Sequence, residues 1–251
     1  EMAEFENYQV LEKFPFAGEL LEAVPYGSGH INDTYRLTFR EDGKEVQYIL
    51  QRINGEIFRD QDQLMENIER VTSFIAGKIR LQGGNPDRET LQVIRTVDGH
   101  PYYRDETGHG WRVYPFITDS ASFDKAESAE DFKQSGYAFG NFQYFLADFP
   151  AKELHETIPN FHNTVDRFAK FRKAVEADVM GRAARVQEEI RFVMEREQDC
   201  HFFGDLLEAG ELPLRVTHND TKLNNVLFDR ETGKAICVID LDTVMPGLAA
   251  H

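Results

Sequence analysis

Apolar and polar residues follow two different rhythms along this chain, and the change from one to the other divides it. Short apolar runs at residues 21–26, 34–39 and 46–52 are bounded by Gly27-Ser28-Gly29 and Glu41-Asp42-Gly43. They predict three strands joined as a meander. At residue 60 the period lengthens. Leu64, Ile68, Val71 and Ile75 form the stripe of an amphipathic helix that Asp60 or Asp62 caps, and Gly83-Gly84-Asn85-Pro86 ends it. Residues 91–96 and 111–116 predict two more strands around a polar, turn-rich loop. The acidic, serine-rich stretch at 119–130 then changes the texture, placing a boundary near residues 115–119 between a lobe of residues 1–117 and one of 118–251.

The second part is mainly helical. A helix is predicted over 127–149, where Gly136 and Gly140 leave a flat strip on which another helix could pack closely. The stripes Phe168, Phe171, Val175, Val179 and Val186, Ile190, Val193 predict two further helices with a break at Met180-Gly181. After Pro213 short strands return at 214–217, 225–229 and 235–239, with a turn at Glu231-Thr232-Gly233.

Composition narrows the classes of partner. The 28 basic and 44 acidic residues leave a formal charge of -16, which repels a phosphate backbone or an anionic membrane surface, and no local basic patch offsets it. No apolar run approaches the roughly 18 residues needed to cross a bilayer, and the N-terminus lacks a basic segment followed by an apolar one. The expected location is therefore cytoplasmic. Cys200 and Cys237 are too few for a disulfide framework and too far apart for a redox or metal-ligand pair, so both are expected to be buried thiols.

Chemistry concentrates near the C-terminal end. His218-Asn219-Asp220-Thr221-Lys222-Leu223-Asn224-Asn225 fits H-x-D-x-x-x-x-N, the catalytic-loop spacing of kinases, and Asp240 follows after a predicted hairpin. A carboxylate must reach the acceptor hydroxyl, while an amide and a second carboxylate hold the magnesium ions that neutralise triphosphate charge. Asp220, Asn225 and Asp240 supply that set. Asp242 is either a further ligand, a residue behind the metal site, or a surface residue. Gly27, Ser28 and Gly29 lie between two predicted strands, where glycines let backbone amides approach phosphates; a hairpin turn would read the same. Asn160-Phe161-His162-Asn163-Thr164 reads as a helix cap and turn, or as a substrate-facing loop.

Through these segments the chain resembles the aminoglycoside phosphotransferase and choline kinase superfamily. More closely, His218-Asn219-Asp220-Thr221-Lys222, the run Ile239-Asp240-Leu241-Asp242-Thr243-Val244-Met245-Pro246-Gly247, Tyr26-Gly27-Ser28-Gly29-His30-Ile31-Asn32-Asp33-Thr34 and Leu50-Gln51-Arg52-Ile53-Asn54 resemble the N-acetylhexosamine 1-kinases. The resemblance implies an α+β, bilobal protein-kinase-like fold, with an antiparallel sheet lobe for nucleotide and a mainly helical catalytic lobe. It implies ATP and Mg2+ as substrate and cofactor and a small sugar as acceptor. Asp220 would orient or deprotonate the anomeric hydroxyl, and Lys222 would stabilise charge on the transferring phosphate. Arg52 stands where the fold usually has a phosphate-binding lysine, with Glu66 and Glu69 as candidate helix partners and Glu66 the preferred one, and Pro115, Phe116 and Ile117 form the hinge for adenine. The resembling kinases continue past Gly247 with more helices, so a longer protein is expected. Two alternatives stay open, namely another small acceptor (an amino alcohol, another sugar or an aminoglycoside) and a non-catalytic nucleotide-binding module. No Asp-Phe-Gly pattern follows the catalytic loop, which argues against a protein kinase.

Overall fold

The computed structural model describes residues 5–27, 29 and 31–250, so Ser28 and His30 of the glycine turn lie outside the described residues. Strands β1 (Glu19–Pro25), β2 (Asp33–Glu41) and β3 (Lys44–Arg52) form the expected antiparallel meander. The β2–β3 connection is two residues long, and both Asp42 (φ 48°) and Gly43 (φ 77°) are left-handed. That conformation matches the twist of the two strands, and an aspartate followed by glycine adopts it at little cost.

Helix α1 (Gln61–Leu81) follows, capped by Asp60, whose carboxylate accepts from Gln63 N at 3.0 Å. Its predicted stripe of Leu64, Ile68, Val71 and Ile75 is buried. A short α2 (Pro86–Glu89) comes next, then β4 (Tyr103–Arg104) and β5 (Gly110–Pro115), completing a sheet of order β1-β2-β3-β5-β4. Residues 91–96 do not form the expected strand. They touch β5 at the single bridge Ile94–Val113, because the outer edge of the six-residue β5 is already paired at Gly110 and Trp111 with β4.

One face of the sheet packs Leu37, Leu50, Trp111 and Val113 against Phe5, Val10 and Phe14 of the N-terminal segment. The other side joins the largest buried cluster, which takes Ile53, Tyr114 and the α1 stripe from before residue 117 and Phe142, Leu146, Leu154, Val216, Leu241 and Val244 from after it. Apolar burial thus runs continuously across the boundary read from texture.

The later part begins with β6 (Ser120–Ala121) and α3 (Ala129–Phe145), the latter opened by a capping box between Ser128 and Asp131. Gly136 and Gly140 are both exposed, and a methyl group on either would meet nothing within 4 Å, so the expected close helix contact is not formed there. Helices α4 (Thr164–Ala177, capped by Asn163), α5 (Gln187–Met194) and α6 (Phe202–Glu208) follow. Of their predicted stripes only Phe168 is buried, and Val179 lies past the end of α4, 87% exposed. Strands β7 (Arg215–Thr217) and β10 (Met245–Gly247) pair antiparallel, and between them β8 (Val226–Asp229) and β9 (Ala235–Val238) form a hairpin joined by β6. Cys237 is buried, its thiol pushed up to about 12 by desolvation, whereas Cys200 is only partly covered.

Candidate active site

The catalytic-loop motif leaves β7 and enters β8, so its two ends are held by different strand pairs. His218 is buried against the edges of Phe139 and Phe142. Its Nε2 lies 2.9 Å from the Ile239 carbonyl and Nδ1 accepts from Asp220 N at 3.3 Å, which assigns the proton to Nε2. Burial lowers its pKa below the ordinary value, so the ring is a neutral spacer between the loop and the end of β9. Asn219 turns the chain in the left-handed region (φ 65°), and its amide donates to Thr217 O and Thr243 O. These bonds aim Asp220 outward.

Asp220 is accessible, with its Oδ2 accepting from Asn225 Nδ2 at 3.0 Å and lying 3.0 Å from Lys222 Nζ. Asn225 is buried and also donates to Asp220 O, and its own carbonyl accepts from Ile239 N. The β8–β9 pairing therefore brings Asn225 beside Asp240. Asp240 is half-buried with left-handed backbone (φ 57°), and its carboxylate makes no hydrogen bond or ion pair among the described residues. Desolvation, then the neighbouring Asp242 charge, raises its pKa to about 6, against the opposing pull of Arg112 and Lys222. A half-buried carboxylate without a compensating partner, next to an amide oxygen donor, fits magnesium, which takes one or two protein carboxylates and fills its octahedron from water and phosphate. Among the described residues there is no cluster of three or more His, Cys, Asp or Glu side chains of metal-holding geometry.

Asp242 is neither on the surface nor open. At 2% exposure it forms a bidentate pair with Arg112, with Nη2 to Oδ2 at 2.9 Å, and Oδ2 also accepts from Asn32 Nδ2 at 2.6 Å. Burial of Arg112 opposes its charge, but Asp242 outweighs that and holds the guanidinium above its usual pKa.

The expected pairing of Arg52 with Glu66 is not formed. Arg52 sits directly opposite Asp33 in the β2–β3 ladder and binds its carboxylate through Nε at 2.7 Å. Glu66 faces Arg70 at 2.7 Å and His155 at 2.8 Å instead, because its position on α1 points to the loop after α3 rather than to the strand end. The strand guanidinium that is buried against a carboxylate is Arg112, and its partner is Asp242 rather than a helix residue. Gly27 (φ 84°) and Gly29 leave open space where a side chain would stand, and Tyr26 beside them packs edge-on to Phe116 at 5.5 Å. In the hinge segment the Phe116 N–H is bonded to Gln47 O and the Ile117 carbonyl accepts from Ser120 Oγ, while Pro115 is paired with Tyr48.

Sequence reading missed three residues that organise the site, Arg112, Asn32 and Asn67. Asn67 is fully buried on α1 and bonds His155 O, His155 N and Val244 O. Arg112 and Asn67 carried a local signal, an arginine inside an apolar strand and an asparagine on an apolar helix face, without indicating a partner, and Asn32 carried no such signal.

Residues 22–251 match the model of the phosphotransferase enzyme family. The fold is shared with an aminoglycoside phosphotransferase from Alicyclobacillus acidocaldarius, at 13% identity and a TM-score of 0.56 over 99% of this chain and 69% of that one. It is also shared with a choline kinase from Cryptosporidium parvum, at 16% identity and a TM-score of 0.54 over 91% of this chain and 60% of that one. The chain thus spans between about three fifths and two thirds of these solved chains. With a match extending from β1 past the last strand, this chain belongs to the phosphotransferase enzyme family.

Proposed function

We propose that the protein is an ATP- and magnesium-dependent small-molecule kinase that phosphorylates the anomeric hydroxyl of an N-acetylhexosamine to the sugar 1-phosphate. The observation that carries the kinase reading is the grouping of an accessible Asp220, bound by Asn225 and Lys222, beside the uncompensated Asp240. The acceptor rests on the likeness of the segments around Tyr26, Leu50, His218 and Asp240 to the N-acetylhexosamine 1-kinases.

Asp220 accepts the proton of the anomeric hydroxyl as its oxygen bonds to the γ-phosphorus, and the bond to the bridging oxygen breaks to release ADP. Lys222 pairs with Asp220, acts electrostatically on Asp240, and supplies positive charge where the transferring phosphoryl passes. Asn225 and Asp240 would hold magnesium, which neutralises the triphosphate and the leaving diphosphate. Gly27 and Gly29 let the turn approach the phosphates, Arg52 adds a cation at its rim, and Pro115, Phe116 and Ile117 face the base.

ADP release is the test, with ATP and magnesium against N-acetylglucosamine, N-acetylgalactosamine, unmodified hexoses, choline and an aminoglycoside. Turnover confined to the N-acetylated sugars is expected. Turnover on another acceptor discards the sugar assignment, and none on any acceptor despite ATP binding discards catalysis.

A further inference from the structure

The two carboxylates of the Asp240-Leu241-Asp242 turn have opposite surroundings. Asp242 has both oxygens engaged, by Arg112 from β5 and by Asn32 from the base of the glycine turn. Each of those donors is tied further into the sheet. Arg112 Nε donates to Gln51 Oε1 at 3.0 Å, and Gln51 Nε2 donates to Thr34 Oγ1 at 3.0 Å. Asn32 Oδ1 accepts from Asn54 N at 2.9 Å, and Asn54 Nδ2 reaches Ile31 O at 3.2 Å. From the opposite side, Thr157 Oγ1 donates to the Asp242 carbonyl at 3.1 Å. One carboxylate thus joins β5, β3, β2 and residues 31 and 32 before β2 to the segment that carries Asp240.

We infer that Asp242 is a positioning residue rather than a metal ligand, a latch that sets the sheet and residues 31–34 against the metal-binding turn. The inference rests on reading this site as a nucleotide site. Arg112 supplies one full charge to Asp242, bidentate and dry, so releasing that carboxylate to a metal would strand a buried guanidinium. Asp240 has no such partner and is the carboxylate available to a cation. The latch fixes the sheet edge that would face the nucleotide in one place, so nucleotide affinity depends on the pair whether or not magnesium is present.

The test compares ADP affinity with excess magnesium and with a chelator, by calorimetry, in variants that unfold cooperatively. Asp242→Asn and Arg112→Met should each weaken ADP about tenfold under both conditions, leaving the magnesium-dependent gain within about twofold of wild type. The double variant should lose no more than the worse single, since the two residues act as one unit. Asp240→Asn should abolish the magnesium-dependent gain. If either buried variant fails to fold, Asn32→Ala removes two part-buried hydrogen bonds, to Asp242 and from Asn54 N, and should reproduce the magnesium-independent loss at about threefold.

Loss of the magnesium gain in Asp242→Asn, or full ADP affinity in Asn32→Ala, overturns the latch. Amide exchange at residues 31–34 and 52–54 without nucleotide separates the two readings. If wild-type protein binds no ADP, the proposed function fails, while faster exchange in Asn32→Ala still supports the latch and unchanged exchange rejects it.

Discussion

Individual side chains divide into those that hold the site and those left free to act. Asp220 is held by one amide and one ammonium yet stays accessible, the arrangement of a general base or an orienting carboxylate. Asp220→Ala should lower kcat by roughly 10²–10⁴-fold with little change in ADP affinity. Single-turnover phosphoryl transfer at saturating ATP measures it, and near-wild-type turnover would remove Asp220 from the mechanism. Asp240 makes a prediction of opposite character. Its pKa rises from 3.8 to about 6, so the folded state binds the proton more tightly than the unfolded state. Stability from this residue is complete below pH 3.8 and is lost as pH rises through about 6. Asp240→Asn should therefore stabilise the nucleotide-free protein at pH 7 by about 1–2 kcal/mol, allowing for its partial hydration and coupling. Urea unfolding at pH 7 and pH 4 checks this, since the gain must shrink toward the acid end. With Asp240 as the proposed magnesium ligand, function and stability would be opposed at this one carboxylate.

Elements make the loop rigid. The catalytic loop leaves β7, and among the described residues β7 is paired only with β10, three residues against three. Gly247 lies opposite Arg215 in that ladder, and a methyl group there would collide with Thr217 Oγ1. Thr217 donates to Asn219 Oδ1 at 2.9 Å, directly under the left-handed step that aims Asp220. Gly247→Ala should thus cost about 1–3 kcal/mol of stability and lower kcat more than it weakens ADP. Thermal unfolding with steady-state kinetics reads both, and unchanged kcat would show that the loop does not depend on the β7–β10 pair. Helix α1 is more forgiving at its end, where Asp60→Ala removes one cap and should cost about 1 kcal/mol by urea denaturation. Much of this level was legible in advance. The Asp42-Gly43 turn, the α1 stripe and the β8–β9 hairpin each rest on contacts between residues close in sequence. Residues 91–96 and the Gly136–Gly140 strip were not, because strand pairing and helix contact depend on what a distant segment already occupies.

At the scale of the whole molecule the two parts share a core, and α1 is the element that both use. Asn67 is its polar anchor, closing two bonds to residue 155 and one to residue 244. Asn67→Ala would leave a buried N–H and two carbonyls without that partner, and should destabilise by about 2–4 kcal/mol in a denaturant titration. A loss below about 1 kcal/mol would mean that apolar contact alone joins α1 to the later segments. Among the described residues no helix is long and apolar enough to cross a membrane.

Periodicity, turn chemistry and the spacing of one loop were enough, from sequence alone, to separate sheet from helix and to group Asp220, Asn225 and Asp240. Those features arise from steric and hydrogen-bonding preferences that act within a few residues. Only the tertiary structure decided which charges meet. Arg112 and Asp242 are 130 positions apart, Asn32 and Asp242 are 210 apart, and no local pattern selects one carboxylate of Asp240 and Asp242 over the other. That choice is made by burial, which forces the enclosed guanidinium to find the carboxylate it can reach and leaves Asp240 without such a partner among the described residues.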